Sequence, residues 1–303
     1  MVKLKSILIL GGTGFFGKSI LDSFIRGELD RYGISQVKIV ARRADEFRLN
    51  FPELINDNIE ILQSDVANCT ELPPADIVIH AATSTDARDY LSDATSQRLN
   101  IEFSTLNYCK LAAKFHGNAR IVYCSSGAVY GQQPDDLESM LETFPFQDVS
   151  QLVEYKRDYA LGKRLAELEI VRLGKEGLNV SIARCFAFYG KYLPRDQHFA
   201  YGNFMGAAER GETIEVQANH QVIRSYMHAD DLVHALIQVA LDANPTCPIY
   251  NVGSDEPIEI RDLAKKIAIQ YNVPVKLAPI TDSKIDRYVP DINKLKALQN
   301  QNT

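Results

Sequence analysis

Six short runs of nearly unbroken apolar residues punctuate the first 185 positions of the chain: SILIL (6–10), VKIVA (37–41), IEILQ (59–63), DIVIH (76–80), RIVYC (120–124) and NVSIA (179–183). Runs of this length without polar alternation are what strands buried on both faces require. Longer amphipathic segments fall between them, and helices are expected at 15–26, 95–116 and 155–174. Strands alternating with helices in this way predict βαβ units and a parallel sheet. The pattern changes beyond Phe186, with loops and short elements to about His220 and then helices expected at 230–242 and 259–271. No internal repeat or low-complexity linker separates the two regions, so the second is expected to be an appended lobe.

Composition narrows the class. A chain of 303 residues, 46% hydrophobic and 24% charged, can bury a core of its own, and no segment has the roughly 18 uninterrupted apolar residues of a membrane span. The opening MVKLKSILILGG runs from basic residues through a short apolar stretch into glycines, which suits a buried strand and not a signal peptide. Five widely spaced cysteines without a C-x-x-C pair are expected to be free thiols in a reducing cytoplasm. A net charge of −6 and a pI near 5.6 argue against a partner built on a phosphate backbone, so neither nucleic acid nor membrane is expected. The six histidines show no metal-ligand spacing, no catalytic metal is expected, and His80 and His228 are read as structural.

The first apolar run leads into GGTGFFG, which sets Gly11, Gly14 and Gly17 at a strand-to-helix junction with Thr13, Phe15 and Phe16 between them. Glycine permits a tight turn and lets helix N–H groups approach a pyrophosphate, so this turn is a dinucleotide-binding candidate. At the end of the second run, where a carboxylate commonly holds the ribose hydroxyls, stand Arg42 and Arg43. Paired guanidiniums suit a 2′-phosphate, and NADP(H) is favoured over NAD(H), although Asp45 and Glu46 are near enough to make the pair an ordinary solvated turn. Asp65 and Val66 follow the third run as candidates for the adenine edge, and Ala81, Ala82 and Thr83 follow the fourth as candidates to line pyrophosphate and ribose. The stretch DYALGKRLAE places Tyr159 and Lys163 four apart on a predicted helix. With 14 tyrosines in the chain, roughly one such spacing is expected by chance, so its surroundings must decide.

Those surroundings are GGTGFFG, SDV, HAA, Asn100 in RLNIEFSTLN, SSGAVYG (125–131), YALGK (159–163), RCFAFYG (184–190) and RSYMHADDL (224–232). In this order the chain resembles, over nearly its whole length, the extended short-chain dehydrogenase/reductase family and its nucleotide-sugar epimerases, dehydratases and reductases. The resemblance implies an α/β fold, a Rossmann-like doubly wound parallel sheet with a smaller C-terminal substrate-binding lobe. The NAD(P)-binding domain is expected over 1–184 with a returning segment near 223–252, and the lobe over 185–222 and 253–303. The resemblance makes Ser126, Tyr159 and Lys163 the catalytic residues, with Ser125 as a backbone-bonding neighbour, gives Lys163 a second role on the nicotinamide ribose, and adds Asn100 to the cofactor site. A tyrosine of ordinary pKa near 10 is a poor base at neutral pH, so the Lys163 ammonium is expected to favour its phenolate. On the substrate side the resemblance implies Asn203 and Arg224 at the nucleotide diphosphate, with a surface pair to Asp230 or Asp231 as the plain alternative for Arg224. It also implies a homodimer through the helices at 95–116 and 155–174.

Departures from the family pattern sort the activities. Sugar 4,6-dehydratases carry an Asp-Glu pair directly after the catalytic threonine, and here those positions are Gly127 and Ala128. Many UDP-sugar epimerases have a substrate-binding asparagine where this chain has Ala187, and their second diphosphate arginine is missing at its usual offset, leaving Arg287 as a substitute. The expected function is a nucleotide-sugar epimerase or 4-ketoreductase that works by hydride transfer at a sugar carbon, C4, and supplies activated sugars for polysaccharide. A 4,6-dehydratase, with a carboxylate from elsewhere such as Asp135 or Asp136, is the alternative. A non-catalytic dinucleotide-binding sensor is the alternative of another class, against which the intact Ser126, Tyr159 and Lys163 speak.

Overall fold

The structure, a computed structural model, describes residues 5–83, 93–197 and 199–301, so the outermost ends of the two expected units lie outside the described residues. Its chain order is β1 (Lys5–Leu10), α1 (Phe15–Ile25), β2 (Ile34–Ala41), α2 (Ala44–Asn50), β3 (Ile59–Gln63), β4 (Ile77–His80), α3 (Ala94–Phe115), β5 (Arg120–Ser126), α4 (Glu154–Lys175) and β6 (Asn179–Cys185). It continues through β7 (Phe188–Tyr189), α5 (Ala200–Glu209), β8 (Ile214–Val216), β9 (Gln221–Ser225), β10 (Met227–His228), α6 (Ala229–Leu241) and β11 (Ile249–Val252). The last elements are β12 (Pro257–Glu259), α7 (Ile260–Tyr271), β13 (Val275–Leu277), β14 (Ile285–Tyr288) and α8 (Asn293–Gln301).

Seven strands form one parallel sheet in the order β11-β6-β5-β4-β1-β2-β3, the doubly wound α/β arrangement expected from the sequence. Strand alternation explains why its sequence runs lack polar positions. Ile7 and Ile9 of β1 enter the layer holding Leu21 of α1 and Leu232 and Leu236 of α6. Leu8 and Leu10 enter the opposite layer, with Tyr108 of α3 and Ala166 and Ile170 of α4. Both faces are covered, so both parities must be apolar. The crossovers reverse between β1 and β4, which opens a crevice at their C-terminal ends.

All six predicted strands are present, and the seventh, β11, was not expected because IYNV is short and carries a polar asparagine on its inward side. Between 223 and 252 the chain returns to the main layer through α6 and β11. Ile223–Ser225 instead belong to β9, which pairs with β12 and β14 in a small separate sheet. That sheet and the β8–β13 pair lie beside a second apolar core of Phe204, Ile214, Leu263 and Ile267.

A buried polar network locks the C-terminal ends of β5 and β6 to α4. Arg184 of β6 and Glu167 of α4 pair at 2.7 Å with side chains only 5% and 6% exposed. Ser125 donates to the same carboxylate at 2.6 Å, while Arg184 Nη1 donates to the Tyr130 hydroxyl and the Glu142 carbonyl, each at 3.0 Å. Tyr130 in turn donates to Asn251 of β11 at 2.7 Å, which explains that strand's inward asparagine. Removing one member of a buried pair strands the other charge away from water. Arg184→Ala is therefore expected to cost about 3–5 kcal/mol of stability. Urea unfolding measures this, and an unchanged midpoint would show that the pair carries no such weight.

Candidate active site

The crevice begins where β1 ends. Gly11 has φ +83°, and a Cβ there would stand 2.6 Å from the Ala81 carbonyl oxygen and 2.7 Å from Ala82 Cα, so the glycine turn rests directly on the end of β4. A Cβ on Gly17 would lie 2.0 Å from the Gly12 carbonyl oxygen, so only glycine lets α1 start this close to the strand. Gly14 opens α1 with no side-chain cap, which leaves the first-turn N–H groups for a ligand. Thr13 is half-buried between them. Phe15 and Phe16 pack against the core, Phe16 edge-on to Phe188 at 5.3 Å, so their rings serve packing while their backbone belongs to the turn. A tightly packed glycine turn that ends in the exposed, uncapped first turn of α1 fits a dinucleotide's pyrophosphate.

Around this cradle the other sequence candidates are placed unequally. Arg42 and Arg43 are exposed at the end of β2, with Arg43 3.6 Å from Glu46 and Asp45 taken by Arg48 at 2.7 Å. Such exposed pairs contribute little, so both guanidiniums can be recruited by a ligand. Asp65 is half-buried and its Oδ1 accepts from Ala67 N at 3.0 Å, while Val66 is buried and its carbonyl accepts from Asn107 Nδ2 at 2.8 Å. Asn100 is exposed on α3.

The structure brings Ser126, Tyr159 and Lys163 together at the end of β5. Ser126 Oγ accepts from Ala128 N at 3.2 Å, capping the short helix Gly127–Tyr130, and the Tyr159 phenol hydrogen-bonds Ser126. Lys163 is buried and donates to the Cys124 carbonyl at 2.8 Å, Thr83 Oγ1 at 3.1 Å and the Tyr123 hydroxyl at 3.3 Å. Thr83 thus ties the end of β4 to the Tyr159 helix. Burial pushes Lys163 down to about 8. Burial pushes Tyr159 up to about 12, opposed by its bond to Ser126. Desolvation thus governs the phenol and the expected lowering by Lys163 is not found, the ammonium standing 5.9 Å from the ring centre. His80 lies beneath, buried between Tyr108 and Tyr123, and burial together with Lys163 holds it at about 3, neutral as a core histidine. His228 caps α6 through Nδ1. Among the described residues, no group of three or more His, Cys, Asp or Glu side chains could hold a metal ion, and no helix is long and apolar enough to cross a membrane.

On the lobe side, Arg224 of β9 donates to Asp286 Oδ2 at 2.9 Å and to the Asp286 carbonyl at 2.7 Å, so its ion pair is with Asp286 and not with Asp230 or Asp231. Asn203 is exposed on α5. Arg287 leaves β14 on the face opposite Asp286 and Tyr288, with Nε buried and lacking a hydrogen-bond partner. Tyr288, one position on, was not anticipated. Its hydroxyl is 3.5 Å from Ser126 Oγ and from the Cys185 carbonyl, and its ring packs on Phe186 at 4.6 Å. The alternation of IDRY was the available signal, since it separates Arg287 from Tyr288. A Cβ on Gly127 would lie 2.7 Å from both the Tyr288 hydroxyl and Phe186 Cζ, so no acidic side chain fits at that position without displacing them.

Known proteins resemble this chain over nearly its whole length. UDP-glucuronic acid decarboxylase 3 of Arabidopsis thaliana is 27% identical over 299 residues, 96% of this chain and 82% of the relative. UDP-glucuronic acid decarboxylase 1 of Danio rerio is 26% identical over 97% of this chain and 68% of its own. Among solved structures, UDP-glucose 4-epimerase of Thermotoga maritima with UDP-glucose superimposes with a TM-score of 0.77 at 18% identity, covering 97% of this chain and 92% of that one. The dTDP-glucose 4,6-dehydratase DesIV of Streptomyces venezuelae, a double mutant with NAD bound, gives 0.78 at 19%, covering 96% and 89%. These structures share the fold. The sequence of residues 7–253 matches the NAD dependent epimerase/dehydratase family, and the chain belongs to that family of enzymes.

Proposed function

We propose that this chain is a nicotinamide-dependent enzyme acting at C4 of a nucleotide-linked sugar, as a 4-epimerase or a 4-ketoreductase. The observation that carries the reading is the meeting of Ser126, Tyr159 and Lys163 beside the glycine turn. A dinucleotide on Gly11–Gly17 would supply the acceptor and donor of hydride. Ser126 holds the substrate's C4 oxygen by a hydrogen bond, and Tyr159 takes or returns that oxygen's proton. Lys163 keeps a positive charge beside the phenol and reaches the ribose. Arg224 meets the diphosphate by exchanging part of its bond to Asp286. The closed space at Gly127 disfavours the dehydratase alternative, since an acid there would have to displace Phe186 and Tyr288. Exposed Phe103 on α3 and Leu165 and Leu168 on α4 support a homodimer through those helices, and five free thiols suit the cytoplasm.

A second reading, decarboxylation of a nucleotide-linked hexuronic acid, is favoured by the two decarboxylases that resemble nearly the whole chain. A 4-keto uronic acid is a β-keto acid and loses carbon dioxide without an acid–base pair after Ser126, so Gly127 is compatible with it. Incubating the purified protein with UDP-, dTDP-, GDP- and CDP-hexoses and with UDP-glucuronic acid, and identifying products by mass and NMR, separates the readings. An epimer, a 4-keto hexose formed with stoichiometric reduction of added NADP+, a 4-keto-6-deoxy sugar and a pentose with carbon dioxide are four distinct outcomes.

Tyr159→Phe should leave folding and dinucleotide binding nearly intact while lowering turnover by about 10²-fold or more, and unchanged turnover would remove Tyr159 from the chemistry. Lys163 carries its charge below about pH 8 and loses it as pH rises through that value. Dinucleotide affinity, followed by calorimetry at fixed salt, should therefore fall across that interval, and a flat profile from pH 7 to 9 would contradict it. If Arg42 and Arg43 clasp a 2′-phosphate, NADP(H) should bind at least about tenfold more tightly than NAD(H), and changing both to serine should erase most of that difference. Equal affinities in the unaltered protein would assign the arginines to solvent and favour the self-contained cycle of an epimerase.

A further inference from the structure

Lys163 has three protons to donate, and the protein itself takes all three: the Cys124 carbonyl at 2.8 Å, Thr83 Oγ1 at 3.1 Å and the Tyr123 hydroxyl at 3.3 Å. A ribose can therefore be met only by giving up one of them. Thr83 is half-buried at the end of β4 and is the partner that a ligand in the crevice can replace, whereas Cys124 and Tyr123 are buried. Of those two, the carbonyl is fixed by β5, which leaves the phenol as the side chain that must be set. Tyr123 is wholly buried, and the ammonium also stands over its ring, 4.9 Å from the centre. Its hydroxyl is hydrogen-bonded in turn to Thr105 of α3, which is wholly buried too. Proton directions follow from the donors available. Thr105 gives its proton to the Ile101 carbonyl at 2.9 Å, so its oxygen is left to accept from Tyr123, and Tyr123 turns a lone pair to Lys163. α3 comes this close because α4 has glycine where the two helices meet: a Cβ on Gly162 would stand 3.3 Å from Ile101 Cδ1.

We infer that Tyr123 is a positioning residue for Lys163, its hydroxyl held as an acceptor by Thr105 so that the ammonium keeps its place and its charge while Thr83 gives way to the dinucleotide's ribose. The chain from Lys163 through Tyr123 and Thr105 to the Ile101 carbonyl runs one way, because it ends on a backbone group that can only accept. An acceptor beside a buried ammonium favours the charged form, so it opposes the burial that lowers Lys163 to about 8. Removing that acceptor, or freeing its proton to turn toward the nitrogen, favours the neutral amine. The titratable groups around Lys163 are His80 of β4, Tyr123 and Cys124 of β5, Cys185 of β6, and Tyr159 and Glu167 of α4. Burial keeps His80 neutral and moves Tyr123, Tyr159 and Cys185 upward, so none of those four changes charge near pH 8. Glu167 is tied to Arg184, and the Cys124 thiol is separated by its own variant below.

The inference rests on the role proposed for Lys163 toward the dinucleotide, and the test separates the two. The unaltered protein, Tyr123→Phe, Thr105→Val, Thr105→Ser and Cys124→Ser are titrated with NAD by calorimetry at fixed salt from about pH 6 to 9.5. Losing a hydrogen bond to the ammonium is expected to move the midpoint of the fall in affinity about one pH unit lower in Tyr123→Phe and in Thr105→Val. Thr105→Ser restores the hydroxyl, and Cys124→Ser keeps the carbonyl, so both should retain the midpoint of the unaltered protein. At about pH 6, where Lys163 is charged throughout, all five affinities should agree within about threefold. Circular dichroism checks that each variant is folded, and if one of Tyr123→Phe and Thr105→Val is not, the other decides. An unmoved midpoint in a folded Tyr123→Phe or Thr105→Val, a loss of affinity equal at every pH, or no rescue by serine at 105 would overturn the role given to Tyr123 and Thr105. A flat profile in the unaltered protein, or loss of the fall in Cys124→Ser, would instead overturn the role of Lys163, and the inference with it.

Discussion

The buried pair of Glu167 and Arg184 is the contact on which the site depends. Taking two charges out of water is costly, and the cost is offset only when every polar atom finds a partner. Here the carboxylate takes Ser125 and both sides of the guanidinium fork, and the remaining nitrogen takes Tyr130 and a carbonyl. The consequence for the site follows from helical spacing. Tyr159, Lys163 and Glu167 are successive members of an i, i+4 series on α4, so they share one face. Fixing Glu167 to β5 and β6 fixes that face against the strand ends. Lys163 is thereby set on the Cys124 carbonyl, and Tyr159 on Ser126.

Electrostatics gives this arrangement its character. Tyr123, Tyr159 and Tyr288 are all pushed upward by burial, and Lys163 is pushed down by it. At neutral pH protons are therefore held on every phenol, beside a Lys163 that keeps its charge up to about pH 8. Any group that brings positive charge near Tyr159 shifts that balance, because the energy of a charge in a desolvated site responds strongly to a neighbouring charge. Low polarity makes the unliganded site a weak base and leaves it most sensitive to what binds beside it.

The parts of the molecule legible in the sequence were those with a local cause. Ile7 to Leu10 had to be apolar at both parities because the sheet is covered twice, and the glycines had to follow because the strand turns into a helix within van der Waals contact of β4. Tyr159 and Lys163 were identifiable from their order after Ser126. What escaped depended on contacts between distant segments. Neither Glu167 nor Arg184 was given a role, since nothing local says that β6 will bury an arginine. Lys163's strongest partner is a backbone carbonyl, which has no residue signature. Arg287 was named as a substitute for the family's missing second arginine, and strand alternation sets it on the face opposite its neighbour Tyr288, whose hydroxyl reaches Ser126. Arg224 did gain a carboxylate partner, but Asp286 lies about 60 positions on and not on the adjoining helix.

Gly127 shows how the two parts of the fold share control of the chemistry. A strand end of this kind can carry an acid or leave a gap, and a gap in a packed interior is filled, because voids forfeit dispersion contacts. In this chain the filling comes from Phe186, just after β6, and from Tyr288 in the lobe. The lobe therefore supplies a group within reach of the serine. It follows that variation at 127 and variation at 288 are not independent. A larger side chain at the first must be accompanied by a smaller or displaced one at the second, because a Cβ at 127 already meets the Tyr288 hydroxyl at 2.7 Å.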